Sequence, residues 1–280
     1  MNEAGWSGRI IDRDAAAALA GPLTDLVARA GAAIMAVDRR AMAIADKADG
    51  SPVTEADLAA DRIIGEGLAR LIPDIPALSE ERPHPVRLPY RGSFFLIDPL
   101  DGTKEFVAGR SEFTVNLALV TGATPLLGII GAPALGLIWR GLVGRGAERL
   151  TMEGTSARAA EPIHTRSLPK RGDPWIAAVS RSHGDTRSEA FIASRPGAVR
   201  ERLGSAVKFG RLAEGAADIY PRLAPTSEWD VAAGHAVVTA AGGKVTDAEG
   251  AELRFGQRRD GFVVPEFIAW GDPSAATRPY

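Results

Sequence analysis

Six residues, Asp98-Pro99-Leu100-Asp101-Gly102-Thr103, follow the apolar run Phe94 to Ile97. An apolar strand ending there fixes where Asp98 emerges. Pro99 stiffens the turn, and Gly102 lets the backbone approach a ligand. Two carboxylates three residues apart across such a turn can face one point, and the Leu100 carbonyl can join them. These are hard oxygen donors, which suit Mg²⁺ better than softer metals. The amides of Gly102 and Thr103 sit at an expected helix N-terminus, a natural seat for phosphate. With average residue usage the pattern arises by chance on the order of 10⁻⁷ per position. Alone, the six residues also fit an Asx-rich turn whose acids only cap amides.

Three further acidic features bear on that choice. Ser79-Glu80-Glu81 follows a short apolar stretch, Asp57 stands in the first helical turn after Thr54, and Trp229-Asp230-Val231-Ala232-Ala233-Gly234 starts a small-residue helix. Each acid by itself is more often a cap or a solvated side chain. Their co-occurrence favours a metal centre.

The ordered set Asp57, Glu80-Glu81, Asp98 to Thr103 and Trp229 to Gly234 resembles the signature of the inositol monophosphatase superfamily. The resemblance implies an Mg²⁺-dependent phosphomonoesterase with a layered αβαβα sandwich fold. It further implies that Glu80, Asp98 and the Leu100 carbonyl hold one Mg²⁺, while Asp98, Asp101 and Asp230 hold a second. Glu80, with Thr103 and Asp57, then orients the attacking water. Two such ions activate water, neutralise phosphoryl oxygens and stabilise a leaving alkoxide. No covalent intermediate is needed, in keeping with the absence of cysteine.

The flanking residues are similar to one branch of that superfamily, the CysQ-type 3'(2'),5'-bisphosphate nucleotidases. They are Lys104-Glu105-Phe106, Glu112-Phe113-Thr114-Val115-Asn116, Ser180-Arg181-Ser182-His183, Tyr220-Pro221-Arg222, Pro225 to Asp230 and Lys47 to Thr54. The implied reaction removes the 3'-phosphate of adenosine 3',5'-bisphosphate. A second phosphate needs a second anion site, for which Lys208 and Arg222 are the candidate cations. Ser182, His183 and Ser205 are the candidate hydrogen-bond donors, and Gly102, Thr103 and Asp230 the contacts at the reacting phosphate. Ala206 departs from the branch, which usually has a second serine there. That departure keeps an inositol or other sugar phosphate as an alternative substrate. The alternative of another class is a non-catalytic sensor of metal and nucleotide, against which the retained Glu80 and Thr103 argue.

These residues must be positioned by interleaved helices and strands, an α/β pattern. The spacing predicts helices over 15–37, broken or begun at Pro22, and from Thr54 to about Leu71, with Leu58, Ile63, Ile64, Leu68 and Leu71 facing the core. It predicts strands over 94–97, 113–120, 126–130, 135–143, 175–179, 217–222, 244–246 and 267–270. Further helices are expected over 185–193, 205–214 and 230–241, the last ended by Gly242-Gly243. Residues 144–171 read as a junction, dividing a 1–151 part with most metal ligands from a 152–280 part with Asp230 and the nucleotide-facing residues.

The chain has 280 residues and a net charge of −2, so nothing global points to nucleic acid. The four histidines lie far apart in sequence, against a zinc site. The polar N-terminus and the lack of a long uncharged apolar run predict a cytoplasmic protein with no integral membrane segment; the sequence leaves monomer or homodimer open. Peripheral association with the inner membrane face stays open.

Overall fold

The computed structural model of the chain describes residues 8–277 apart from 40, 43, 47–51, 83–88, 183, 196 and 258–260. Asp12 caps the first helix, α1 (Arg13–Ala36), by accepting from the Ala15 amide at 2.8 Å. Contrary to expectation, Pro22 neither breaks nor begins α1 but lies within it. The carbonyl of Ala18, which loses its partner, is on the exposed side, where water can satisfy it. Leu23, Leu26, Val27, Ala30 and Ile34 are buried and hold the helix to the core. One 18-residue window of α1 reaches a mean hydropathy of 1.2, enough for a membrane span by composition. Its buried stripe makes it a core helix.

β1 (Ile44–Asp46) pairs antiparallel with β2 (Pro52–Thr54), which leads into α2 (Glu55–Leu71). The buried face of α2 is Ala56, Asp57, Ala60, Asp61, Ile64, Gly67 and Leu68. Leu58 and Leu71, expected inside, are 55% and 41% exposed. Small residues decide the packing. A Cβ at Gly67 would lie 2.0 Å from Leu26 Cδ2, so only glycine lets α1 this close.

A seven-stranded sheet follows in sequence order: β3 (Ala77–Ser79), β4 (Ser93–Asp101), β5 (Thr114–Thr121), β6 (Thr124–Ala132), β7 (Leu137–Leu142), β8 (Gly146–Glu153) and β9 (Ser156–Ile163). A short helix, α3 (Thr103–Val107), interrupts the chain between β4 and β5. Only β3–β4 is parallel. Two expectations change here. The strand over 94–97 continues through Asp98 to Asp101, and residues 144–171 contain β8 and β9. Most of β9 is exposed, which explains its polar composition. The 151/152 division falls inside β8, and we place the boundary between the two parts in the connection after β9.

The second part contributes β10 (Ile176–Ser180), α4 (Thr186–Ala193), β11 (Val199–Leu203), α5 (Val207–Ala213) and β12 (Ile219–Arg222). Next come β13 (Thr226–Ser227), α6 (Glu228–Ala240), β14 (Lys244–Thr246), β15 (Val263–Val264) and β16 (Phe267–Trp270). Five of these strands form a sheet in the order β11-β10-β12-β16-β14, and β13 pairs with β15.

Alternation along β4 builds the layers, because both faces of the strand are buried. Phe95 and Ile97 pack with α1 and α2. Phe94 and Leu96 face the opposite way, into a core shared with Phe209 of α5, Val237 of α6 and Phe267. Trp175, Ile192 of α4 and Ile268 close the far face of the five-stranded sheet. The result is the expected αβαβα sandwich. α6 lies hard against the large sheet: a Cβ at Gly128 would stand 2.1 Å from Ala233 O, and one at Gly141 would stand 2.6 Å from Val237 Cα.

Candidate active site

β4 and β5 place the two loop acids. Asp98 pairs with Asn116 and Asp101 with Thr114, so three steps on β4 match two on β5. In a regular strand, residues three apart face opposite sides of the sheet. The bulge at Pro99-Leu100 turns Asp101 back to the side of Asp98. Asp101 Oδ2 accepts long hydrogen bonds, 3.4 Å each, from Thr114 Oγ1 and Asn116 Nδ2. Leu100 N donates to Asp98 Oδ1 at 3.1 Å. Gly102 has φ +88, and a Cβ there would also strike Ser205 Oγ at 2.1 Å. Glycine is required on both counts.

Two helix starts supply further acids. Asp57 and Asp230 are the third residues of α2 and α6, and each spends one oxygen on a capping box. Asp57 Oδ2 accepts from Thr54 N at 2.8 Å and Thr54 Oγ1 at 2.7 Å. Asp57 Oδ1 accepts from Thr103 Oγ1 at 2.9 Å. Thr103 Oγ1 also lies 3.1 Å from the Leu100 carbonyl. Asp230 Oδ2 accepts from Ser227 N at 3.2 Å and from Thr226 Oγ1. Each carboxylate thus serves its cap with one oxygen and keeps the second for other partners.

Glu80, Asp98 and Asp230 each offer an oxygen within 4.8 Å of the others. Such crowding has an electrostatic consequence. Burial, and then repulsion from Glu80, Asp101, Asp230 and Asp57, pushes the Asp98 carboxyl well above the usual range. Burial and Asp230 raise Asp101 to about 6, against the lowering influence of Lys208, Asn116 and Arg222. Burial also raises Asp230. A cluster of buried carboxylates whose ionisation is opposed by burial and mutual repulsion is one that a bound cation would stabilise. The all-oxygen donor set fits a hard divalent cation.

The acids open on a cleft of about 250 Å³, also lined by Ser205, Ala206, Lys208, Tyr220 and Arg222. Lys208 is buried, yet its ammonium is held. Nζ donates to Ser205 O at 2.6 Å and to Leu203 O at 3.4 Å, and lies 5.2 Å from the Tyr220 ring centroid. Burial lowers Lys208 to about 8, partly offset by Asp101. Arg222 Nη2 donates to Pro225 O at 3.3 Å.

The expected donors are placed differently from one another. Ser205 Oγ lies 2.9 Å from Asp101 O and 3.0 Å from Glu112 O, so its hydroxyl proton is directed at backbone. Ser182 Oγ donates to Glu105 and does not line the cleft. His183 lies outside the described residues, as do residues 47–51, most of the Lys47 to Thr54 stretch. Aromatic wall residues Tyr220, Trp229, Phe209 and Phe267 carried no site assignment from sequence. Tyr220 and Trp229 flank Arg222 and Asp230 in their motifs, which is the signal that pointed to them.

The family model for the inositol monophosphatase family matches residues 17–271. The chain is 39% identical over 246 residues to the 3'(2'),5'-bisphosphate nucleotidase CysQ of Escherichia coli K12, covering 86% of this chain and 95% of that protein. The Salmonella typhimurium protein of the same name is 40% identical, with the same coverage. Among solved structures, CysQ from Bacteroides thetaiotaomicron superimposes with a TM-score of 0.73 at 33% identity, covering 89% of this chain and 95% of that one. A Thermotoga maritima IMPase superimposes with a TM-score of 0.70 at 26% identity, covering 90% and 91%.

Proposed function

The chain belongs to the inositol monophosphatase family, and from that premise we propose that it is a 3'(2'),5'-bisphosphate nucleotidase, releasing the 3'-phosphate of adenosine 3',5'-bisphosphate to give AMP. The observation that carries this reading is Lys208, a buried cation in the wall of the same cleft as the acid cluster. A phosphatase for a singly phosphorylated substrate has no use for a second anion contact of this kind. The 39% identity to a CysQ nucleotidase over most of both chains supports it.

In this reading Glu80, Asp98, Asp101, Asp230 and the Leu100 carbonyl hold Mg²⁺. When bound, the metal neutralises phosphoryl charge, acidifies water and stabilises the departing alkoxide. The chain's own residues do the rest. Thr103 Oγ1 donates a hydrogen bond to Asp57 Oδ1 and so presents lone pairs to the attacking water, orienting its oxygen toward phosphorus. The water oxygen bonds to phosphorus and gives up a proton to solvent, the bond from phosphorus to the ribose 3'-oxygen breaks, and that oxygen takes up a proton from solvent, so that the net change is the addition of one water. Lys208 and Arg222 receive the 5'-phosphate, with Tyr220 beneath the Lys208 ammonium.

The test is turnover of adenosine 3',5'-bisphosphate against inositol 1-phosphate, with Mg²⁺ present. A higher kcat/KM for the bisphosphate is expected. A higher value for inositol 1-phosphate would transfer the assignment to the sugar-phosphate branch.

A further inference from the structure

Two acids in the strings after the metal loop, Glu105 and Glu112, have no part in the chemistry above. Glu112 precedes β5, in the part of the chain that carries Asp98 and Asp101, yet its side-chain partners among the described residues lie in the other part. Arg181, just after β10, donates to it through Nε at 3.0 Å and Nη2 at 2.6 and 2.8 Å. Gly204 N donates to Glu112 Oε2 at 3.0 Å, and Ser205 Oγ lies 3.0 Å from Glu112 O. The approach is close enough that a Cβ at Gly204 would sit 2.4 Å from Glu112 O. Ser205 has φ +49, a conformation L residues rarely adopt, and its hydroxyl is held by the two carbonyls across the divide.

The connections continue to the cleft. Arg181 Nη2 also donates to Arg202 O at 2.9 Å, so one guanidinium ties Glu112 to the end of β11. The turn 203–205 that follows supplies both carbonyls that Lys208 Nζ donates to. An ammonium has three donors. Two are therefore aimed by a turn that Glu112 fixes, which sets the direction of the third.

We infer that Glu112, acting with Arg181, is a positioning residue for Lys208: it docks the 203–205 turn onto the metal loop and so sets the distance between the reacting phosphate and the second anion site. The inference rests on the nucleotidase reading and names the residues that determine its specificity. Neither Glu112 nor Arg181 touches the substrate. Their effect must therefore appear in discrimination between one and two phosphates, with the hydrolytic step itself spared.

Steady-state kinetics of Glu112→Gln, Arg181→Gln and the double variant, on adenosine 3',5'-bisphosphate and on para-nitrophenyl phosphate, test this. Each single variant is expected to raise KM for the bisphosphate about fivefold to tenfold, with kcat within about twofold and para-nitrophenyl phosphate kcat/KM unmoved. The double variant is expected to lose less than the two single effects combined, because both substitutions remove the same Glu112–Arg181 ion pair. An unmoved KM, equal losses on the two substrates, or additive losses in the double variant would overturn the inference. If Glu112→Gln fails to fold, Arg181→Gln, on the more exposed side of the pair, decides the question alone. The nucleotidase reading is tested separately by the unaltered protein: no preference for the bisphosphate over the monoester defeats that reading whatever the variants do.

Discussion

Thr103 Oγ1 stands 2.9 Å from Asp57 Oδ1, joining the first turn of α3 to the first turn of α2 across 46 residues of chain. Asp57 is 1% exposed and its other oxygen is fully occupied by the α2 cap. The Thr103 proton is spent on a backbone or carboxylate oxygen beside it, so its hydroxyl oxygen can accept from a water. Thr103→Val keeps the shape and removes the hydroxyl. It should lower kcat by about 10²–10³-fold with KM little changed, and Thr103→Ser should restore most of the rate. Steady-state kinetics check this; a near-normal rate for Thr103→Val would separate Thr103 from the attacking water.

Asp98 sits at the centre of the acid cluster, and its replacement should have opposite effects on activity and stability. Its folded carboxyl titrates above the unfolded value, so the metal-free fold loses stability as pH rises through that range. Asp98→Asn removes one of the repelling charges. Activity should fall by several orders of magnitude, while the Tm of the metal-free protein at pH 7.5 rises by about 2–5 °C. Added Mg²⁺ should raise the Tm of the unaltered protein by more than that of the variant. Calorimetry in chelator and in Mg²⁺ measures both.

Lys208 is predicted to act on binding. Lys208→Ala removes a charge-assisted contact, a loss of about 1.5–3 kcal/mol, which is about a 10–100-fold rise in KM for the bisphosphate. The kcat should change far less, because the contact is remote from the reacting phosphorus. An unchanged KM would take Lys208 out of the substrate site.

His235, buried on α6 and edge-on to Phe255 with ring centroids 5.6 Å apart, gives a pH prediction. Its Nδ1 has no hydrogen-bond partner among the described residues, and burial lowers its pKa to about 4. The unfolded chain takes up this proton near pH 6.5 and the folded chain only near 4, so stability falls as pH drops through that window, by at most about 3 kcal/mol. The raised carboxylates act in the opposite sense over the same range. The difference between the unaltered protein and His235→Gln is therefore the quantity to measure, by urea denaturation at pH 7 and pH 4.5. A gap independent of pH would show that His235 charges in place.

Much of the site was legible in the sequence because its parts are contiguous. Asp98 to Thr103 carries both acids, the threonine and the glycine within six residues, and Thr54 with Asp57 reads as a helix start. Element types were legible wherever apolar periodicity was strong, as over α2 and β5. They were not legible where exposure is high, as in β9. On α2, where small residues set the packing, the helix was legible but the face it buries was not.

The sequence by itself determined the chemistry available: hard oxygen ligands, a hydroxyl beside them, and no thiolate. It also offered two readings of Asp57 and Asp230, cap or site, as though they excluded each other. The tertiary structure shows that the two are compatible, since a carboxylate has two oxygens and each acid gives one to its helix, leaving the other for the proposed site. The same is true of direction. Residues 98 and 101 would face opposite sides of a regular strand, and the pairing of β4 with β5 turns them to one side. Glu112 is the clearest case, for its meaning depends on Arg181, Gly204 and Ser205, 69 to 93 residues away. Contacts at such separations are set by how the two sheets pack around α5 and α6, which no local pattern of residues encodes.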